Sequence, residues 1–523
     1  MPQLTARRAR APFAALILLA FVAALFTVPG AQARPAVPDS GKAAVGATER
    51  TSERSSPRAS KALTKARKAL DGVRGDATLA LRDLAMLKGE LAGAERATAE
   101  RILARPTDPQ DEDTYGGNPQ SVLCSAVVCV HYVTAGPERT TVAYAQATLD
   151  NATAVHQFYV GAGYRAPKPD GTNGGDARTD IYIANIGDRG LYVYCTTDED
   201  VPFAAPWDRW AYCVVDNDYS PSEFGTANTW LENLQVTLAH EYFHAVQFAY
   251  DFAEDSWFLE ATAAWVEDEV FDAVNDNVQY LRAQSPLKQP QISMDKFGGL
   301  RHYGAWIFFR FLTEKFPAKA GGMPTLVRDM IRKTDGSAGA KDMYSWQAVN
   351  AVLKGRKTSA SKQFAAFAAA NRRPGQTYDE GAKQRYPKPP LADKATIART
   401  VKTKVRIDHL ASATYRVTPA KKLSRKTWKL RVNLDMQPTS RGSAALVTTY
   451  FKTGRSKVQW VKLNKRGNGS KAVPFSRRNV KYVEVTLVNT SGRFVCWQGS
   501  PFSCSGKPKD NNLLQKMTLR PFR

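Results

Sequence analysis

The sequence His240-Glu241-Tyr242-Phe243-His244 lies inside an apolar stretch, residues 230–252, that predicts one continuous helix. Histidines four positions apart project from the same face of a helix, one turn from each other, so both imidazoles can reach a single Zn²⁺ ion. Glu241 would then point at the water that such an ion holds. Thr229 and Glu232 have the spacing of a capping box, which satisfies the first backbone amides and fixes the start of the helix. The motif therefore requires a rigid helix with a metal-binding pair near its middle.

A second apolar helix is predicted from about Ser256 to Glu269, because the helical pattern breaks at residues 251–255 and then resumes. Glu260 lies sixteen residues after His244 in this helix, where an unpaired carboxylate would be costly to bury. A metal ion would remove that cost. Catalytic zinc sites keep three protein ligands and one open position, and two histidines with one glutamate are a common set. Glu260 is therefore the candidate third ligand.

An HExxH motif followed by a glutamate on the next helix resembles the gluzincin group of zinc metallopeptidases. Within that group, residues 240–247 and 257–268 resemble a family of uncharacterised secreted bacterial peptidases, and the likeness is specific across about residues 180–312. The resemblance implies a hydrolase that cleaves peptide bonds with a zinc-activated water. It implies these roles for the site residues: zinc ligands His240, His244 and Glu260, and general base Glu241.

Two departures from related patterns bear on the site. The longer metzincin motif requires glycine and histidine where this chain has Gln247 and Tyr250, so that alternative fails. Thermolysin-like relatives have an aspartate four residues after the ligand glutamate, whereas this chain has Ala264 there. The carboxylate that orients the ligand histidines is therefore open, and Glu267, two turns beyond Glu260, is the candidate.

The oxyanion that forms during peptide hydrolysis needs a further hydrogen-bond donor. His302 and Tyr303 open the apolar helix predicted at residues 305–312, and gluzincins commonly use a tyrosine or histidine from a downstream helix. Tyr303 is the preferred candidate and His302 the second. The alternative is that both aromatic side chains only pack at the start of that helix.

The N-terminus predicts export. Three arginines, at positions 7, 8 and 10, precede an apolar run at residues 11–28 and an Ala-x-Ala sequence at residues 31–33, which is typical of a cleaved secretory signal peptide. The alternative is an uncleaved membrane anchor, for which the apolar run is short. We expect a secreted, extracellular protein with no transmembrane segment after signal removal.

Cysteine usage agrees with an oxidising compartment. The six cysteines lie in three close pairs along the chain, which predicts three local disulfides. The predicted pairs are Cys124 with Cys129, Cys195 with Cys213, and Cys496 with Cys504. A structural zinc site is disfavoured because no C-x₂-C unit occurs.

Composition and periodicity divide the chain into four parts and predict an α+β fold. Residues 1–33 are the signal peptide, and residues 34–110 are either a propeptide that folds over the catalytic cleft or a flexible, charged helical segment. Residues 111–395 are the predicted zinc metallopeptidase domain, which is zincin-like, with a small sheet followed by a mainly helical lower lobe. After a Pro-rich linker, residues 396–523 alternate in short strands that predict a β-sandwich accessory domain.

Charge is concentrated in the last of these parts. Residues 396–523 contain 28 lysines and arginines against 4 acidic residues, an excess equal to the chain's whole formal charge of +24. A surface this basic is suited to anionic polymers, such as those of a cell wall, although a solvated basic face would explain it equally well. No motif accompanies it that would indicate a nucleic-acid partner.

Two functions therefore remain open at the level of sequence. The first is a secreted zinc peptidase acting on peptide or protein substrates. The second is an extracellular protein that binds anionic cell-wall polymers and carries an inactive or structural zincin-like domain. A Ca²⁺ ion near the acidic residues 198–276 is conceivable, but no EF-hand-like spacing supports it.

Overall fold

The computed structural model describes residues 54–72 and 77–523, and all of these belong to one compact unit. The predicted signal peptide lies outside the described residues. The unit is mixed, with helices and several sheets, and its last part is β-rich.

Three helices form the described part of the N-terminal segment: Pro57–Leu70 (α1), Ala77–Leu87 (α2) and Gly93–Ile102 (α3). The charged helical pattern that the sequence shows at residues 70–103 contains two of these helices, α2 and α3. Buried apolar side chains explain how they are held, since Leu79, Leu81 and Leu84 of α2 are 0% exposed. This segment therefore belongs to a hydrophobic core, which it shares with one face of the first sheet.

The first sheet has five strands in the order β1-β2-β3-β5-β4. Its strands are Gln120–Cys124 (β1), Val128–Val133 (β2), Thr179–Ala184 (β3), Val193–Thr196 (β4) and Tyr212–Asp216 (β5). The three central strands are parallel, whereas the edge strands β1 and β4 run antiparallel to their neighbours. Helix Val142–Gly161 (α4) crosses over between β2 and β3. Strand-like runs of residues at 179–186, 191–196 and 210–216 predict three strands, and β3, β4 and β5 confirm them, whereas the sequence pattern does not predict β1 or β2.

Helices dominate the region that follows the sheet. They are Pro221–Phe224 (α5), Trp230–Phe248 (α6), Ser256–Val270 (α7), Val278–Ala283 (α8), Arg301–Gly304 (α9), Trp306–Lys315 (α10), Thr325–Ile331 (α11), Ser345–Gly355 (α12), Ala360–Ala370 (α13) and Pro374–Thr377 (α14). Between α10 and α11, two antiparallel strands of two residues each form a short hairpin, Lys319–Ala320 (β6) and Met323–Pro324 (β7). The predicted capping box at Thr229 and Glu232 is confirmed at the start of α6.

The C-terminal region contains a five-stranded sheet in the order β13-β12-β15-β10-β8 and a four-stranded sheet in the order β14-β11-β18-β9. The strands are Asp393–Ile397 (β8), Val401–Ile407 (β9), Ala411–Pro419 (β10), Lys429–Asp435 (β11), Ser443–Phe451 (β12), Ser456–Trp460 (β13), Asn468–Pro474 (β14), Val480–Asn489 (β15), Phe494–Val495 (β16), Lys507–Pro508 (β17) and Leu513–Phe522 (β18). Inward-facing side chains of both sheets form one core, with Val432 and Leu519 from the smaller sheet and Val447 and Val485 from the larger.

The three predicted disulfides are confirmed: Cys124–Cys129, Cys195–Cys213 and Cys496–Cys504. Each joins neighbouring chain segments, as the spacing predicted. Among the described residues, no helix has the length and apolar character needed to cross a membrane.

Candidate metal centre

Helices α6 and α7 bring the three predicted metal ligands together. The two carboxylate oxygens of Glu260 face the two histidines, with Oε2 at 3.2 Å from His240 Nε2 and Oε1 at 3.2 Å from His244 Nε2. The imidazole rings are 5.1 Å apart, as expected for neighbours one helical turn apart. Their surroundings are dry, because His244 and Glu260 are 0% exposed and His240 is 7% exposed.

The opposite nitrogens of both rings have acceptors. His240 Nδ1 lies 2.6 Å from Glu267 Oε1, and His244 Nδ1 lies 2.7 Å from Gln247 Oε1. The amide group of Gln247 is itself oriented, since its Nε2 donates to the Leu259 carbonyl and to the Thr262 hydroxyl. Nδ1–H therefore donates on each ring, which leaves the Nε2 lone pair of the neutral imidazole directed at Glu260.

This arrangement places acceptor atoms face to face. In the neutral tautomers, two Nε2 lone pairs meet two carboxylate oxygens, and among the described residues His244 Nε2 and Glu260 Oε1 have no hydrogen-bond partner. Acceptors that converge in a dry site repel each other unless a cation lies between them. Two imidazoles and one carboxylate are also a standard donor set for zinc. The residues present therefore fit a Zn²⁺ ion.

Without an ion, protons on the rings would offset the negative charge, because burial favours a lower pKa for His240 and His244 but the neighbouring carboxylates outweigh it and raise the pKa of both. Burial favours a higher pKa for Glu260, but His244 and His240 outweigh it and hold the pKa well below its usual range. Burial raises the pKa of Glu267 to about 7, against the lowering influence of His240. Burial also raises the pKa of Glu241. Three carboxylates thus surround two imidazoles, and a divalent cation would balance their charge.

Glu241 lies in the same cluster, since ligand atoms of His240, Glu241 and His244 are all within 4.8 Å of one another. Its Oε2 accepts a hydrogen bond of 2.6 Å from the Thr78 hydroxyl, which comes from α2. No local sequence pattern predicts this contact, because 163 residues separate Thr78 from Glu241.

Of the two predicted oxyanion donors, Tyr303 lies beside the candidate ligand His240, and His302 packs on Tyr303 with ring centroids 4.3 Å apart. The Tyr303 ring lies 5.9 Å from the His240 ring and stacks on Tyr280 at 4.8 Å. His302 is 3% exposed, and its Nδ1 accepts from the Gly298 amide at 3.2 Å, which places the proton of the neutral ring on Nε2. Burial lowers the pKa of His302 to about 4, so the ring is neutral near pH 7. Among the described residues, His302 Nε2 has no hydrogen-bond partner.

The orienting residue Glu267 was a candidate from the sequence, and the structure places it against His240. Gln247 was not identified as an orienting residue. Its position three residues after His244, on nearly the same helix face, was the signal that could have suggested it.

Two acidic groups elsewhere also have closely spaced carboxylates: Asp216, Asp218 and Glu223, and Asp268, Asp272 and Glu380. In the first group, Asp216 accepts from the backbone amides of Gly187, Asp218 and Tyr219, and in the second Asp268 forms an ion pair with Arg310. A Ca²⁺ ion gains no support from either group.

No protein-family model matches this chain, and no curated protein is similar to it in sequence. Some solved structures share a partial likeness. The pre-peptidase C-terminal domain of a collagenase from Bacillus anthracis has 7% identity and a TM-score of 0.16, over 25% of this chain and 97% of that one. A periplasmic inhibitor of g-type lysozyme from Salmonella Typhimurium has 12% identity and a TM-score of 0.15, over 25% of this chain and 100% of that one. TM-scores this low carry no argument about fold or function.

Proposed function

We propose that the protein is a secreted zinc peptidase of the gluzincin type, with a zincin-like catalytic region and a C-terminal β-sandwich. The observation that carries the proposal is the convergence of His240, His244 and Glu260 on one dry point where their acceptor atoms need a cation. Glu241 beside that point supplies the proton-transfer group that peptide hydrolysis requires. The three disulfides support an oxidising compartment outside the cytosol.

The chain's own residues divide the chemistry among them. Zinc, when bound, acts as a Lewis acid and lowers the pKa of water to about 7. Glu241 accepts a proton from the attacking water and later delivers it to the leaving amine nitrogen. His302 Nε2–H or the Tyr303 hydroxyl donates to the developing oxyanion. Glu267 and Gln247 hold the ligand rings in the tautomer that directs Nε2 at the metal.

A second role for the C-terminal region is favoured by one surface feature. Arg425, Arg477 and Arg478 line a shared open groove and are exposed. Lys421 and Lys422, also exposed, are close to Arg425 in sequence. We propose that this groove retains the enzyme on anionic wall polymers.

One experiment tests the peptidase against the polymer-binding alternative. Elemental analysis of the purified protein should find about one zinc per chain, and peptide hydrolysis should stop with a chelator and return with added zinc. A polymer-binding protein with an inactive site would instead be retained on anionic wall fragments and would hydrolyse no peptide with or without added zinc. Absence of metal from both the purified and the zinc-reconstituted protein would contradict the proposed function.

Removing the carboxylate that orients His240 should weaken metal binding. We expect Glu267→Ala to reduce zinc affinity by about 10–100-fold, the usual effect of losing such a partner, because Nδ1–H is left without an acceptor in a dry site. Glu267→Gln should have a smaller effect, since its amide oxygen can still accept from Nδ1–H. Competition with a fluorescent zinc chelator measures both values. Unchanged affinity in Glu267→Ala would show that Glu267 does not support the site.

A further inference from the structure

We propose that the N-terminal segment, defined as residues 54–72 and 77–104, holds the enzyme in a latent form by occupying the groove where a substrate would bind. The inference rests on the proposed peptidase function. Its central contact is the Thr78 hydroxyl, which donates to Glu241 Oε2 at 2.6 Å and accepts from the Cys195 backbone amide at 3.0 Å.

The amide of Cys195 belongs to the free edge of the first sheet. Strand β4 is an edge strand, and β5 is its antiparallel neighbour in that sheet. Cys195 faces Cys213 with a Cα–Cα distance of 4.1 Å, the close spacing of a pair that does not exchange backbone hydrogen bonds. Its N–H therefore points away from β5. An extended peptide docks on a sheet edge through such outward amides, so Thr78 holds a group that a substrate backbone would use.

The same hydroxyl also acts on the general base. Glu241 must accept a proton from water, and the hydrogen bond from Thr78 takes up one lone pair of its carboxylate. Thr78 thus joins, through a single oxygen, the edge of the sheet and the residue that performs proton transfer. A peptide lying along β4 would have to displace it.

Helix α2 continues from Thr78 to the other wall of the site. The guanidinium of Arg82 donates to the Glu254 carbonyl and to the Ser256 hydroxyl, both at 2.9 Å. Ser256 is the first residue of α7, the helix that carries Glu260. From the preceding helix, Lys65 lies over the Phe297 ring, which packs on His302. The segment therefore bridges the edge strand and the helices that hold the third ligand.

These contacts of the N-terminal segment close the site. With the segment in place, His244 and Glu260 are 0% exposed, His302 is 3% exposed and His240 is 7% exposed. A polypeptide needs several residues of open groove beside these groups. Access therefore requires the segment to move away from the site, and the chain offers an exposed position for cutting at Pro109 and Gln110, a few residues beyond the end of the segment.

The test uses the full-length protein with a recognition sequence for a specific protease inserted between Pro109 and Gln110. Thr78→Val removes both hydrogen bonds with little change in size, and Arg82→Ala removes the contact with α7. Thr98→Val is the matched control, because this hydroxyl lies on the exposed face of α3 and bonds only within its own segment. Zinc content, thermal melting, peptide hydrolysis and binding of a fluorescent peptide hydroxamate are measured before and after cutting.

We expect cutting combined with Thr78→Val and Arg82→Ala to raise hydroxamate affinity and hydrolysis at least about tenfold, as when an open form rises from a minor population. The control should leave both unchanged. Equal hydroxamate binding by intact and opened protein would overturn the proposal. So would a loss of turnover in Thr78→Val at unchanged hydroxamate affinity, since Thr78 would then position Glu241 in the active enzyme. Failure of the proposed function is distinguishable, because then no form binds zinc or hydrolyses peptides.

Discussion

Replacing Glu241 with glutamine is expected to keep about one zinc per chain and to lower turnover by about 10³-fold, within the range typical of general acid–base catalysis. The amide has nearly the same size as the carboxylate, and its oxygen can still accept the hydrogen bond from Thr78. What it cannot do is take a proton from water. Because Glu241 handles protons and is not one of the three metal ligands, the zinc content should not follow the activity.

Elemental analysis and steady-state kinetics on the cut, opened protein measure the two quantities separately. Glu112→Gln is the matched control, because Glu112 is an exposed glutamate in a loop and its substitution should change neither quantity. Near-normal hydrolysis by Glu241→Gln would show that another group accepts the proton. Loss of zinc together with activity would instead make Glu241 part of the metal site.

The convergence of the three proposed metal ligands was predictable because their spacing is set by helix geometry. His240 and His244 share a face through the four-residue period, and the burial of Glu260 in an apolar helix signalled a partner. Their placement against each other then follows from the packing of α6 on α7. Glu267 was also within reach of this reasoning, since it lies two turns beyond Glu260 on the same helix.

Contacts between distant parts of the chain were not predictable in the same way. The hydrogen bond from Thr78 to Glu241 joins residues 163 positions apart, and no local pattern encodes it. The charged composition of the N-terminal segment was compatible with a flexible helical segment as well as with a propeptide over the cleft, and most of its leucines are buried in a core shared with the sheet. Strands β1 and β2 were missed because they are short and follow a Gly- and Pro-rich stretch that reads as loop.

The Pro-rich linker predicts that the C-terminal region is a separate domain. In the structure, this region instead packs directly against the helices that precede it. Leu410, Leu446 and Val488 belong to the same core as helices α6, α7 and α10. Across this interface, Asp295 pairs with His409 at 2.9 Å and accepts a hydrogen bond from the Ser503 hydroxyl at 2.7 Å. Removing residues after Asp393 would therefore uncover part of the catalytic core, so retention on wall polymers should be measured on the full chain.

A buried carboxylate in this interface provides the sharpest test of that coupling. Glu484 on β15 is 1% exposed and pairs with Arg372, which follows α13 and is 3% exposed, and also with Arg416. Burial favours a higher pKa for Glu484, but Arg372 and Arg416 outweigh it and lower the pKa. Stability from this group is therefore present above the ordinary glutamate pKa and is lost as the pH falls through the lower, folded-state value.

Glu484→Gln should destabilise the whole described unit by about 3 kcal/mol, the low end for breaking a buried ion pair, because Arg372 is left without a compensating charge while the amide oxygen keeps one hydrogen bond. Denaturant unfolding followed by tryptophan fluorescence and by zinc release measures it. Tryptophans lie in both regions, for example Trp257 in the helices and Trp460 in the C-terminal sheets, whereas zinc release reports the helical region alone. Asp435→Asn is the matched control in the same region, because Asp435 and its partner Lys516 are 64% and 57% exposed in their side chains and the pair should contribute little. If the two regions are coupled, zinc release shifts with the fluorescence transition in Glu484→Gln. If zinc release stays at its original midpoint while only the β-rich region unfolds earlier, the C-terminal sheets are an independent domain after all.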